Sequence, residues 1–124
     1  MTDVPTASNS RLDRLGVLLS GLCAVHCVAG LGLVGLLGVG GGVLLNPAIH
    51  RIGLALAICV GAATIGMAAL RHGHKLPLAI GSVGLALMAT AVITGHGSAE
   101  ALLTITGVAC VATAHVINIR RGAC

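Results

Sequence analysis

The chain has 124 residues, of which 56% are hydrophobic and only 8% are charged, and its mean hydropathy is +1.07. A soluble domain carries about 25% charged residues, so this composition excludes an ordinary water-soluble domain and implies a surface in contact with membrane lipid. The length allows one compact domain. Phe, Trp and Tyr are all absent, which argues against recognition of a nucleic acid by base stacking. No nucleic-acid partner is therefore expected.

The order of polar and apolar segments predicts an all-α, four-helix transmembrane bundle. Residues 1–13 are polar and are predicted to form a disordered tail. An apolar run predicts a first span over about 15–38, and the glycines at its end are poor helix formers that should stop it. Further apolar runs predict spans over about 52–70, 76–94 and 99–119, each near the ~20 residues that the hydrocarbon core requires. Residues 14–121 thus form one predicted membrane domain, with 122–124 as its end.

The basic residues predict the orientation of the bundle. With four spans, one side of the membrane holds Arg51 alone, and the other side holds Arg11, Arg14, Arg71, Lys75, Arg120 and Arg121. Because cytoplasmic segments are enriched in Lys and Arg, both termini are predicted to be cytoplasmic. His50, His96 and Glu100 then face outward, either as ordinary interface residues or as a place where a cation collects.

Small residues are spaced through every predicted span, and the chain has 19 glycines. Helices in lipid associate by close backbone approach at small residues. Ala62 and Gly66 in the second span, and Gly81 and Gly84 in the third, are therefore predicted to be packing positions.

Three soft-metal donors lie together in the first span: Cys23, His26 and Cys27. Residues four apart share one face of a helix, so the two thiols should stack, with His26 beside them. Cys23 follows Arg14 by nine residues, or ~13 Å, which is near the middle of the ~30 Å core. An imidazole at that depth needs a partner and is a functional candidate, and thiolates select Cu(I), zinc and, by extension, mercury(II). Cysteine is also a comfortable small hydrophobe, so inert packing is the alternative.

Four further residues are weaker candidates. His115 and Asn118, near the end of the last span, are expected to hydrogen-bond across to the first helix, and His115 alternatively offers a ligand on the exit path. Cys110 lies near the predicted depth of Cys23, and Cys124, at the end of the chain, can accept a soft ion in a reducing compartment.

Three segments resemble the MerC family of mercury-resistance membrane proteins, and the similarity covers nearly the whole chain after residue 10. They are Leu-Asp-Arg-Leu-Gly with Leu-Ser-Gly-Leu-Cys-Ala-Val-His-Cys in the first span, Glu-Ala-Leu-Leu-Thr-Ile-Thr-Gly opening the last, and Ala-His-Val-Ile-Asn-Ile-Arg closing it. The resemblance implies an inner-membrane protein that takes up mercuric ion and delivers it toward a cytoplasmic mercuric reductase. It also implies that Cys23 and Cys27 match the ion-binding pair of the family. The chain differs from characterised members in having Cys124 alone where they carry a second pair.

The leading hypothesis is therefore uptake of a soft thiophilic cation, with mercury(II) as the transported ion. Cys23 and Cys27 would bind it as thiolates, with His26 as an auxiliary ligand. The chain has no phosphate-binding glycine loop and no visible nucleophile with its base, so we expect no enzymatic activity. Two alternatives stay open: a non-transporting membrane subunit with structural or redox thiols, and an accessory that handles zinc or copper. The sequence does not decide whether the protein is an oligomer.

Overall fold

The computed structural model describes residues 6–38, 42, 46–95 and 97–122, and these ranges are helical apart from short connections, with no strand. The four long helices are α1 (Thr6–Leu37), α2 (Pro47–His72), α3 (Lys75–Thr94) and α4 (Ser98–Gly122). Within α2, a π-helical segment, Ala62–Gly66, joins Pro47–Gly61 to Met67–His72. Each of the four contains a stretch long and apolar enough to cross a membrane. The predicted all-α, four-span fold is confirmed, and the chain is an integral membrane protein.

Helix α1 is longer at its start than the sequence predicts. It begins at Thr6, so the predicted disordered tail is wrong for residues 6–13, whereas residues 1–5 lie outside the described part of the chain. Asp13 is 2% exposed and hydrogen-bonds to α4, which holds this segment against the bundle. At its other end α1 stops at Leu37, and Gly38 follows with φ +58°, as expected for a helix that runs into glycines.

Helix α2 begins at Pro47, five residues before the predicted start of the second span at 52. Two local features explain the earlier start. The Asn46 side chain accepts a hydrogen bond of 3.0 Å from the amide of Ala48, which caps the helix, and Pro47 at the first helical position has a backbone angle suited to it. At the other end Gly73 has φ +67° and turns the chain directly into α3.

The helices alternate in direction. Asp13 near the start of α1 contacts His115 near the end of α4, and Cys27 further along α1 contacts His50 near the start of α2. One end of the bundle therefore holds the starts of α1 and α3 and the ends of α2 and α4. We call it the basic end because it carries Arg14, Arg71, Lys75, Arg120 and Arg121; the opposite end is the far end.

Helices α3 and α4 approach each other most closely at glycines. A Cβ built on Gly84 would lie 2.6 Å from the carbonyl oxygen of Gly107, and one built on Gly81 would lie 3.5 Å from Cβ of Ala114. The prediction of packing positions at Gly81 and Gly84 is confirmed. It is wrong for Ala62, which is exposed and lines an apolar cleft of about 150 Å³ between α2 and α3.

The interior is built mainly from small and medium-sized apolar side chains, and many of the large ones point outward. Ala57, Met88, Val108 and Val111 form the central cluster, against which Cys23 is partly buried. Many leucines are more than half exposed, among them Leu18, Leu22, Leu36 and Leu70. In a spanning bundle these side chains face lipid, so the polar groups that do turn inward stand out as functional candidates.

Candidate metal site between α1 and α2

One face of α1 carries its inward-facing polar groups. At spacings of three and four residues, this face comprises Asp13, Gly16, Ser20, Cys27 and Gly30, all buried, with half-buried Cys23 between them. The thiols are therefore part of the same stripe that packs against the rest of the bundle, and the exposed neighbours Leu22, Val25 and Val28 cover the opposite face. The two thiols lie on one face of α1, as helical periodicity predicts, and that face points into the bundle.

Cys27 contacts a histidine on the neighbouring helix. Its Sγ lies 3.6 Å from Nε2 of His50, and the cysteine itself is 7% exposed. His50 is three residues from the start of α2. The contact therefore lies near the start of α2, close to the far end of the bundle.

Cys23 faces the same helix one turn deeper. A Cβ built on Gly53 would lie 3.5 Å from Sγ of Cys23, so the absence of a side chain at Gly53 leaves room beside the sulfur. Because α1 and α2 are antiparallel, Cys23 meets Gly53 and Cys27 meets His50. The two thiols thus share one interface with α2.

His50 also approaches a carboxylate on α4. Its Nδ1 lies 3.6 Å from Oε1 of Glu100, and both side chains are largely buried. The ring of His26 lies edge-on to that of His50, with ring centroids 5.5 Å apart. A thiol therefore lies near one ring nitrogen of His50, and a carboxylate lies near the other.

A second polar cluster joins α1 to α4 near the basic end. Nδ1 of His115 lies 2.6 Å from Oδ1 of Asp13, and Nδ2 of Asn118 donates a hydrogen bond of 2.8 Å to Oδ2 of Asp13. The predicted hydrogen bonding of His115 and Asn118 to the first helix is confirmed, although the sequence did not identify Asp13 as the partner. Nε2 of His115 is buried without a hydrogen-bond partner in the structure, and the ring edge lies against Gly16.

A small internal cavity lies between the two clusters. Its volume is about 10 Å³, and its lining includes Gly16, Ser20, Cys23 and His115. This is close to the smallest space that can accommodate one water molecule. The polar stripe of α1 is therefore continuous from Cys27, past Cys23, to the Asp13 cluster.

The remaining candidates are elsewhere or outside the described chain. Cβ of Cys110 lies 3.0 Å from where a Cβ on Gly84 would be, so this residue faces α3. Cys59 is exposed, and all four described cysteines are free thiols. Cys124 and His96 lie outside the described residues. Over the described ranges, no three His, Cys, Asp or Glu side chains are close enough together to hold one ion as they stand.

A family model described as MerC mercury resistance protein matches residues 13–120. The chain belongs to the MerC family. No curated protein and no solved structure gave a match. The matched range extends from Asp13 to Arg120 and so includes both thiols of α1, the contacts of His50, and the cluster around His115.

Sequence reasoning missed the contacts between helices in this candidate site. His50 and Glu100 were expected on the outer side of the membrane, as interface residues or as a place where a cation collects, but were not connected to the thiols. The structure brings His50 to Cys27 and Glu100 to His50. Gly53 was not singled out. The usable signal was the matching spacing on two antiparallel helices: Cys23 and Cys27 are four residues apart on α1, and His50 and Gly53 are three apart on α2. Recognising the match requires the register between the helices, which one sequence does not supply.

Proposed function

We propose that this MerC protein transports mercury(II), as a soft thiophilic cation, across the membrane, and that Cys23 and Cys27 hold the ion as thiolates. The single observation that supports this most strongly is the position of both thiols on the inward face of α1, against α2. Thiols oriented toward lipid would have no access route for an ion. Here Cys27 contacts His50 near the far end of the bundle, and Cys23 packs against Gly53 one turn deeper.

The chemistry suits an ion that must cross an apolar region. Binding breaks two S–H bonds, two protons leave to water, and two sulfur–metal bonds form. The two thiolates cancel the two positive charges of the ion, which avoids the large cost of a bare charge in a medium of low dielectric constant. His26 is the auxiliary donor in this proposal, and its ring lies beside that of His50. Transfer between thiols proceeds by ligand exchange, so no free ion is exposed to hydrocarbon.

The direction of transport follows from the predicted orientation. If the basic end is cytoplasmic, the Cys27–His50 contact faces the outer side, and an ion enters there and leaves toward the cytoplasm. In this proposal the host membrane is the cell inner membrane, and the receiving protein is a cytoplasmic mercuric reductase. In this proposal the protein acts as a carrier of the ion and catalyses no chemical reaction.

Uptake of radiolabelled mercuric ion by cells that express the protein tests the proposal. The double variant Cys23→Ser/Cys27→Ser should reduce uptake to the level of cells without the protein. The matched control is Cys59→Ser/Cys110→Ser, which removes two thiols outside the site and should retain uptake. Equal uptake by the two double variants, at equal amounts in the membrane, would instead favour a non-transporting subunit with structural thiols.

A further inference from the structure

The position of His50 assigns it a role that the thiol pair alone does not require. We propose that Nε2 of His50 is a ligand to the ion held by Cys27, that Glu100 orients His50, and that the resulting sulfur–nitrogen site also binds zinc-like divalent cations that prefer tetrahedral coordination. This inference goes beyond the proposed function, because mercury(II) needs only two thiolates whereas such a cation needs further donors.

The first argument is a distance. In tetrahedral zinc sites the metal–sulfur distance is about 2.3 Å and the metal–nitrogen distance about 2.0–2.1 Å, so the sulfur and nitrogen atoms of two ligands on one ion lie about 3.6 Å apart. The observed distance between Sγ of Cys27 and Nε2 of His50 is 3.6 Å. Without an ion this is a thiol–imidazole contact. With an ion, loss of the thiol proton leaves both atoms already spaced for one metal.

The second argument is the carboxylate behind His50. Histidines that bind metals usually direct their other ring nitrogen toward a carboxylate or a carbonyl, which fixes the tautomer and the ring orientation. Nδ1 of His50 lies 3.6 Å from Oε1 of Glu100 and is buried without a hydrogen bond in the described structure. A small rotation of His50 toward the metal position, with Nδ1–H donating to Glu100, gives this nitrogen its missing partner.

The remaining donors are one helical turn away. Cys23 is a half-buried free thiol, four residues before Cys27, and its Sγ packs against Gly53, which has no side chain to restrict its rotation. A rotation of its side chain supplies the third ligand and leaves one position open, as expected for an ion that must enter and leave. Two thiolates and a neutral imidazole give a complex with a zinc-like ion that carries no net charge, so the complex tolerates an apolar interior.

The test uses purified full-length protein in detergent micelles, with Co²⁺ as the spectroscopic probe of the zinc-like site, Zn²⁺ as its competitor, and Hg²⁺ as a separate titration. The unaltered protein should show a thiolate-to-cobalt charge-transfer band that Zn²⁺ abolishes. His50→Ala should weaken Co²⁺ and Zn²⁺ binding at least tenfold and retain Hg²⁺ binding. The control His72→Ala lies at the opposite end of α2 and should leave the binding of all three ions unchanged. Glu100→Gln should weaken Co²⁺ binding by about 10- to 100-fold.

A replacement donor separates ligation from a structural role. His50→Cys should restore Co²⁺ binding and strengthen the charge-transfer band, because a third sulfur joins the metal. Unchanged Co²⁺ affinity in His50→Ala, or failure of His50→Cys to restore binding, would overturn the inference. So would an unaltered protein that binds Hg²⁺ but neither Co²⁺ nor Zn²⁺, and that result would leave the proposed function intact. Hg²⁺ binding that is equal with and without Cys23→Ser/Cys27→Ser, in a Cys59→Ser/Cys110→Ser/Cys124→Ser background that removes the other thiols, would instead remove the proposed function.

Discussion

At the scale of single residues, the buried polar cluster of Asp13, His115 and Asn118 is the feature that depends most on correct hydrogen bonding. His115 is 0% exposed and Asp13 is 2% exposed, and each depends on the other for a partner. Buried polar groups without partners cost about 1–3 kcal/mol each. This dependence explains why α1 continues as a helix through a segment whose composition predicts a tail.

Asp13→Ala should therefore destabilise the protein strongly. The substitution leaves Nδ1 of His115 and Nδ2 of Asn118 without their acceptor, and we expect a loss of about 1–3 kcal/mol for each of the two groups, measured as the free energy of unfolding in detergent. Arg14→Ala changes an exposed neighbour and is the matched control. A loss no larger for Asp13→Ala than for the control would contradict the assigned role of the cluster.

Gly16 tests the same cluster from the side of the histidine. A Cβ at this position would come within 2.6 Å of Cδ2 and Cε1 of His115, so Gly16→Ala should lower the midpoint of thermal unfolding. Gly21→Ala, where a Cβ meets nothing within 4 Å, should not. The decrease in the unfolding midpoint caused by Gly16→Ala should be smaller in a His115→Ala background. An equal decrease in both backgrounds would rule out this contact as the cause.

At the scale of helices, the contact between α3 and α4 depends on backbone proximity. Gly84 and Gly107 face each other so closely that a Cβ on Gly107 would lie 2.8 Å from the carbonyl oxygen of Gly84. Such contacts take the place of the hydrophobic effect in holding helices together within lipid. The sequence indicates Gly84 as a packing position but not its partner Gly107, because the facing pair depends on the register between two helices.

Gly107→Ala should consequently force α3 and α4 apart. Inserting a methyl group into a filled contact costs about 1–3 kcal/mol, and backbone atoms cannot rotate aside as a side chain can. Gly32→Ala, in α1, is the control because its Cβ would meet nothing within 4 Å. Resistance to unfolding by sodium dodecyl sulfate provides the measurement, and equal resistance of the two variants would refute the close-contact account.

At the scale of the whole molecule, the uneven distribution of basic residues predicts that both termini are cytoplasmic. A green fluorescent protein fused after residue 124 should be fluorescent, whereas an alkaline phosphatase fused at the same point should be inactive. The same phosphatase inserted at Gly97, on the far end, should be active. The reverse pattern would place the Cys27–His50 contact on the cytoplasmic side and reverse the proposed direction of transport.

The sequence was sufficient for the architecture and for part of the site, for separate physical reasons. Apolar runs between charges locate spans because lipid excludes charges along a helix, and Cys23 with Cys27 could be assigned to one face from helical periodicity alone. Partners on other helices could not be assigned in this way. His50, Gly53 and Asp13 acquire their roles from contacts between helices, and such contacts depend on helix rotation and depth, which a single chain of aliphatic residues leaves open.

The central claim is that two sulfur atoms on the inward face of α1 hold the ion. X-ray absorption spectroscopy of the mercury-loaded variant Cys59→Ser/Cys110→Ser/Cys124→Ser tests it most directly, because Cys23 and Cys27 are then the only thiols left. The account predicts one mercury per chain with two sulfur neighbours. A mercury with a single sulfur neighbour, or a variant that binds none while the unaltered protein binds it, would contradict the account.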